Sequence, residues 1–147
     1  MGVDQLTIRD ENHIPRMVAR TNAAWGRVAE KVGEYLADKI EKKILSQDPT
    51  WPPNAPATIR AKKSSKVYIN TGELFDLIQS QRIARGKDET VIEVGIFEHE
   101  KGLVAHFLEF GTEYIPERPL LRLVFEEQKD NLVKLVEKWY WEEIARY

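Results

Sequence analysis

The sequence predicts an α+β fold in which a small antiparallel β-sheet packs against two long helices, with a long proline-rich arm. Two stretches, at about residues 15–46 and 119–145, repeat apolar residues with the period of an amphipathic helix. Between them, residues 90–97 alternate and are rich in β-branched side chains, which is typical of a strand. At 147 residues the chain has the size of one domain, so we expect residues 1–147 to form a single unit.

The first long helix is expected to begin near Pro15, because proline suits the first position of a helix. Gly26 and Gly33 weaken this helix locally without ending it. The stripe that we expect it to bury contains Val18, Trp25, Val28, Val32, Leu36, Ile40 and Ile44.

Residues 47–70 form the predicted arm, which we expect to lack regular structure in its first half because prolines oppose it. Loops of this length are usually functional or disordered. Trp51 lies in the arm and has two interpretations: it folds back into its own domain, or it docks on a neighbouring subunit. In the second interpretation the arm is mobile in the free protein. The prolines are Pro49, Pro52, Pro53 and Pro56, and a basic run follows with Arg60, Lys62, Lys63 and Lys66.

A short helix and a β-hairpin are expected after the arm. Asn70 and Glu73 have the spacing of a capping box, which predicts a helix from about Gly72 to Gln81. The turn residues at 86–89 then lead into the alternating strand at 90–97.

Residues 104–119, VAHFLEFGTEYIPERP, are predicted to contain an apolar element, a tight turn and the start of the last helix. The apolar part fits a buried helix or a buried strand equally well. Gly111 marks a position that needs a positive φ or a close backbone approach. Pro116 stiffens the corner, and Pro119 is expected to be the first residue of the last helix.

Two residues near the C-terminal helix have both a structural and an intersubunit interpretation. Arg118, held between prolines, is expected to pair with a carboxylate, either on Glu109 or Glu113 or on an adjacent subunit. Trp141 falls on a charged helix face and is either a lone exposed residue or a subunit contact. The stripe expected to be buried contains Leu121, Phe125, Leu132, Val136, Tyr140 and Ile144, widened by Val124, Leu135 and Trp139.

Composition argues against several classes of function. The net charge of −2 lacks the basic surplus of a general nucleic-acid binder, and the absence of cysteine excludes disulfides and thiolate sites. His99, His106 and Glu109 lack the spacing of a metal site, and we expect His106 to be a core histidine. We therefore expect no enzymatic activity and no cofactor. No apolar run suits a membrane span and no signal peptide is evident, so we expect cytosolic synthesis.

Two blocks of residues carry a resemblance to a known family. The first contains Trp51, Pro53, Thr58 and Lys62, followed by Thr71-Gly72-Glu73-Leu74. The second contains Glu109-Phe110-Gly111-Thr112, followed by Ile115-Pro116-Glu117-Arg118-Pro119-Leu120. In this order and spacing they resemble the tail-completion (head–tail joining, virion morphogenesis) proteins of long-tailed bacteriophages and prophages. The chain departs from that pattern at Asn54-Ala55-Pro56. The serine expected soon after Thr71-Gly72-Glu73-Leu74 is also displaced, to Ser80.

The resemblance implies a structural protein of the virion, made in the host cytoplasm. It would form a homo-oligomeric ring, expected to be a hexamer, at the neck or the top of the tail. Its partners would be the tail tube, the head-completion or connector proteins and packaged DNA in the lumen, with no membrane. The alternative is a small cytosolic binding or regulatory module that acts through the basic residues 60–66. The expected interface residues are Trp51, Arg60, Lys62, Lys63, Lys66, Arg118 and Trp141; the motif residues are Thr71, Gly72, Leu74, Glu109, Phe110, Gly111, Thr112, Pro116 and Pro119.

Overall fold

The computed structural model describes residues 14–69, 76–85 and 89–146. The predicted α+β class is confirmed: within these residues, helices are combined with two antiparallel strands that form one hairpin. In chain order the elements are α1 (Ile14–Ser46), α2 (Pro56–Lys62), β1 (Ile78–Arg85), β2 (Thr90–Ile96), α3 (His99–Phe110) and α4 (Leu121–Ala145).

Helix α1 organises the fold, because the hairpin and α4 both pack against it. A Cβ at Gly33 would lie 2.8 Å from side-chain carbons of both Ser80 and Ile92. One strand residue comes from β1 and the other from β2, so the glycine allows both strands to approach the helix closely. The residue that weakens α1 as an isolated helix therefore brings it close to the sheet.

The hairpin begins earlier than the sequence predicts. Ile78 pairs with Ile96, and Gln79 pairs with Gly95. The predicted helix from Gly72 to Gln81 is therefore wrong over residues 78–81, where ladder bonds and burial of Ile78 outweigh the local capping signal. Residues 72–75 of the predicted helix, and Thr71 before it, lie outside the described residues.

The buried faces of the two long helices differ from the predicted stripes. Val18 and Trp25 of α1 are exposed, as are Leu121 and Phe125 of α4. In α4, Val124 and Glu143 are buried, and the partly buried Gln128 accepts a hydrogen bond from the Tyr35 hydroxyl of α1 at 2.6 Å. The face of α4 that is turned towards α1 thus includes polar residues, and a pattern of apolar residues alone does not predict their burial.

The arm contributes three side chains to the main core, so the interpretation in which Trp51 leaves its own domain is wrong. The arm also contains a helix, α2, which the prolines do not prevent because Pro56 stands at its first turn, where no backbone N–H donor is needed. The buried core cluster contains Ile40, Ile44, Trp51, Val67, Tyr68, Ile78, Leu120 and Val124.

Candidate functional site

Glu109 joins the end of α3 to the beginning of α4. Its carboxylate accepts hydrogen bonds from the backbone N–H groups of Leu120, Leu121 and Arg122, at 2.6, 2.9 and 3.1 Å. Leu120 is the N-cap of α4 and has no side-chain cap of its own, so Glu109 supplies the cap from another helix. A negative charge is favourable at this end of a helix dipole, and the Arg122 Nε also pairs with it at 3.1 Å.

The predicted tight turn at Gly111 is confirmed by its backbone. Gly111 has a φ of +74°, and a Cβ there would lie 2.9 Å from both the Glu117 nitrogen and the Ile115 oxygen. Thr112 then closes the corner: its N–H donates to the Ile115 oxygen at 2.8 Å, and its hydroxyl accepts from the Ile115 N–H at 3.0 Å. Pro119 follows, two residues before α4 begins, so the prediction that Pro119 is the first helical residue is wrong.

Arg118 is held by the arm, which corrects the predicted pairing with Glu109 or Glu113. Its Nε donates to the Pro52 carbonyl at 2.6 Å, and its Nη2 donates to the Pro53 carbonyl at 2.8 Å. The residue is only 4% exposed, and burial lowers the pKa of the guanidinium. The two carbonyls suit the fork of an arginine, because its donors are fixed in one plane.

Two aromatic residues of the arm bind the backbone beside Arg118. The Trp51 Nε1 donates to the Pro119 carbonyl at 2.8 Å, and the Tyr68 hydroxyl donates to the Arg118 carbonyl at 2.6 Å. The two rings are in contact, with centroids 5.3 Å apart. Burial raises the pKa of Tyr68 well above its usual value, so the hydroxyl stays a donor. We call the set Trp51, Pro52, Pro53, Tyr68, Arg118 and Pro119 the clasp.

The clasp brings together motif residues from both blocks of the sequence. Trp51 and Pro53 come from the first block, and Arg118 and Pro119 come from the second. Phe110 is exposed, and the guanidinium carbon of Arg122 lies over its ring, 4.8 Å from the ring centroid. The exposed Pro116 is not part of these contacts.

The basic run of the arm forms a surface that we call the basic segment, residues 60–66. No acidic residue occurs from position 49 to position 69. Over the part of the chain that the structure describes, Arg60, Lys62, Lys63 and Lys66 have no carboxylate within ion-pair distance. Burial lowers the pKa of Lys62, and the positive charge of Arg118 lowers it further. The segment therefore presents positive charge that no carboxylate of the described residues neutralises.

Large apolar side chains are exposed on two helices. Trp141 is 61% exposed, as its position on the charged face of α4 predicts, and its ring contacts Tyr140. On α3, Leu103, Val104 and Phe107 are also exposed. Side chains of this kind, grouped on a helix surface, are typical of interaction sites.

A cluster of ion pairs around one buried carboxylate links α1 and α4 and was not predicted. Glu143 is fully buried and pairs with the Lys31 Nζ at 2.8 Å, the Arg27 Nε at 2.5 Å and the Arg146 Nη1 at 3.2 Å. Hydrogen bonds from Lys31 and Arg27 lower the pKa of Glu143 to about 2. The only local signal was the spacing of Glu143 and Arg146, because its α1 partners lie more than a hundred residues away.

The predicted chemistry of the histidines needs one correction. His106 is exposed, not in the core, because α3 begins at His99 and turns this side chain towards the surface. Among residues 14–69, 76–85 and 89–146, no group of three or more His, Asp or Glu is placed to hold a metal ion. None of the helices described there is long and apolar enough to cross a membrane.

A search of family models, curated proteins and solved structures finds no match to this chain.

Proposed function

We propose that this chain is a structural virion protein of a tailed phage or prophage. It acts in tail completion or head–tail joining, as an oligomeric ring, expected to be a hexamer, at the neck or the top of the tail. The observation that carries the proposal is the clasp. Two blocks that resemble the family meet there through direct hydrogen bonds between residues 65 to 68 positions apart in sequence.

The clasp gives the resembling residues a shared physical role. Trp51 and Arg118 fix the arm to the corner, and Glu109 fixes the corner to the start of α4. Each of these bonds satisfies a backbone group that would otherwise be left without a partner in a poorly solvated place. The result is a stiff frame that can present the surfaces of α3, α4 and the basic segment in fixed directions.

A ring component needs two different surfaces on each subunit, since head-to-tail contacts close into rings. The exposed apolar residues of α3 and the exposed Trp141 near the end of α4 provide two such surfaces. In this proposal the further partners are the tail tube and the head-completion or connector proteins. The basic segment suits an acidic protein surface or the phosphates of packaged DNA, because no carboxylate among the described residues pairs with its cations.

The second candidate is a small binding or regulatory module that acts through the basic segment. The concentration of positive charge at Arg60, Lys62, Lys63 and Lys66 favours it. The two candidates differ in assembly, because a module of this kind needs no ring.

Negative-stain microscopy of the purified protein, alone and mixed with tails of the phage or prophage that encodes it, tests the proposal. We expect ring-shaped particles, and tails capped by them at one end. A variant in which Arg60, Lys62, Lys63 and Lys66 are all replaced by Gln serves as a comparison for the second candidate. Particles that stay monomeric, together with tails that stay bare, would overturn the ring proposal.

A further inference from the structure

A half-open cavity of about 180 Å³ lies where α1, the hairpin, α3 and the start of α4 meet. All four elements contribute apolar side chains to its wall. These include Ile40 of α1, Ile78 and Ile96 of the hairpin, Ala105 of α3 and Leu120 beside α4. The apolar surfaces of four elements therefore converge on one space.

The space exists because α3 turns small residues towards it. Gly102, Ala105 and Glu109 lie three and four residues apart, so they share one face of the helix. A Cβ at Gly102 would lie 2.9 Å from the carbonyl oxygen of Ile96, which shows that this face is turned towards β2. Glu109, on the same face, is buried. The methyl group of Ala105, which stands between the two, therefore points into the cavity.

The polar groups of the wall are already used. Glu109 Oε2 accepts from the N–H groups of Leu120 and Leu121, and its Oε1 accepts from the N–H and the Nε of Arg122. Four bonds fill the acceptor positions of a carboxylate. The Tyr68 hydroxyl donates to a carbonyl of the clasp. Within the described residues, no buried side-chain nitrogen or oxygen of the wall lacks a partner. A bound molecule would therefore gain apolar contacts there and no ion pair.

Size and polarity select the class of molecule. An apolar cavity of about 150 Å³ stays dry and binds benzene, so the slightly larger space here has room for one ring with a small substituent. A charged molecule would lose its hydration without gaining a partner, because Glu109 is already paired with Arg122. We propose that the cavity is a binding site for a small, neutral, apolar molecule of about the size of a single-ring aromatic compound.

The open side of the cavity suits such a ligand. The rings of His106 and Phe110 line it, with centroids 4.8 Å apart, and both residues are exposed. Leu121 beside them is exposed as well. Rings in this position can contact an aromatic ligand edge to face. The ligand thus covers apolar surface that the protein otherwise exposes, and a polar substituent can stay in water beside His106.

A ligand in the cavity would tie α3 to the rest of the fold. In the described structure α3 packs against β2, and the ligand adds contacts from the same helix face to α1 and to the start of α4. These contacts exist only in the folded state, so the ligand stabilises that state by mass action. The inference goes beyond the proposed function and does not depend on a ring.

Titration with toluene, followed by NMR, tests the site. We expect saturable shifts of the methyl signals of Ala105, Ile78 and Ile96, and a melting temperature that rises with the toluene concentration. The methyl group of Ala19, on an exposed part of α1, is the internal control and should not shift. Absence of saturable shifts, or equal shifts at Ala19, would overturn the inference.

Filling the cavity from within tests its position. Ala105→Leu should weaken toluene binding by about tenfold or more, because a close-packed wall does not make room for both groups. Ala19→Leu adds the same atoms to an exposed helix face and should bind toluene like the wild type. Ala105→Val adds fewer atoms and should bind with intermediate affinity, and it replaces the leucine variant if that variant does not fold. Wild-type affinity in a folded Ala105 variant would contradict the site.

A side chain of a second copy is the rival occupant. Sedimentation velocity with and without saturating toluene separates the two, and we expect the mass of the protein to stay the same. An assembly that dissociates when toluene is added would mean that a side chain fills the cavity, and the ligand site would be wrong. Rings without toluene binding would leave the proposed function standing and overturn this inference; toluene binding without rings would do the reverse.

Discussion

Arg118 is a buried cation whose observed partners are neutral carbonyl oxygens of the arm. Such a group is costly to bury unless its donors are used, because water no longer solvates it. Here two guanidinium nitrogens bind consecutive carbonyls, and the backbone N–H of Arg118 binds the Leu108 carbonyl at 2.7 Å. One residue thus connects the arm, the corner and α3.

Replacing Arg118 with Lys should lower the free energy of unfolding by about 1.5–3 kcal/mol. The reason is that an ammonium group cannot bind both carbonyls with the geometry of the fork. Urea denaturation of the monomer measures the change. Arg60→Lys, on the exposed face of α2, is the control and should change stability by no more than about 0.5 kcal/mol. Equal stability of the Arg118 variant and the wild type would contradict the clasp.

Replacing Glu109 with Gln should cost about 1–2 kcal/mol, because it removes the negative charge that caps α4. The amide can still accept a bond, so the loss is smaller than that of the whole cap. Hydrogen exchange should show faster opening of the amides of Leu121 and Arg122 in particular. Glu117→Gln is the control, since that side chain is exposed and its nearest cation is 3.5 Å away. Unchanged exchange at the start of α4 would refute the capping role.

Glu143 should make the stability of the α1–α4 contact depend on acid pH. Its pKa is lowered from 4.5 to about 2 in the folded protein, so its contribution is present above pH 4.5 and is lost as the pH falls towards 2. The free energy of unfolding, measured across this range, should therefore fall less steeply for Glu143→Gln than for the wild type. Glu137→Gln, on the exposed face of the same helix, should keep the wild-type slope.

At the scale of elements, the arm is part of the core. It supplies Trp51, Val67 and Tyr68 to the core cluster. Helix α2 lies between Trp51 and Val67 in the sequence. The prolines oppose helix and sheet at the start of the arm, so the carbonyls of Pro52 and Pro53 are not used by regular secondary structure and accept bonds from Arg118. The arm therefore folds back because it buries aromatic surface and satisfies Arg118.

Trp51→Ala should destabilise the monomer by about 3–5 kcal/mol, because it opens a cavity in the core and leaves the Pro119 carbonyl without its donor. Trp51→Phe keeps most of the ring and should cost less. Trp141→Ala is the control and should change the melting temperature little, since its side chain is exposed. A Trp51→Ala variant as stable as the wild type would restore the interpretation of a free arm.

Local patterns predicted the elements better than their partners. Periodicity placed α1 and α4 within a few residues, and alternation placed β2. Gly111 was predicted to need a positive φ or a close backbone approach, and it has both. The contacts of Arg118 could not be predicted, because they join positions about 65 residues apart and use backbone oxygens, which every residue carries. Glu143 was missed for a related reason. A carboxylate does not fit an apolar stripe, and the cations of α1 that allow its burial lie more than a hundred positions away in the sequence.

At the scale of the whole molecule, the frame of α1, the hairpin and the clasp leaves several surfaces free. These are the basic segment, the apolar face of α3, the half-open cavity and Trp141. A subunit of a ring needs exposed surfaces for its neighbours. We propose that the chain works as an assembled ring.

Native mass spectrometry of the purified protein, over a range of concentrations and with tails added, tests this claim most directly. We expect a discrete species at six times the 17.1 kDa mass of one chain, formed at high concentration or on contact with tails. A single-chain mass under every one of these conditions would contradict it.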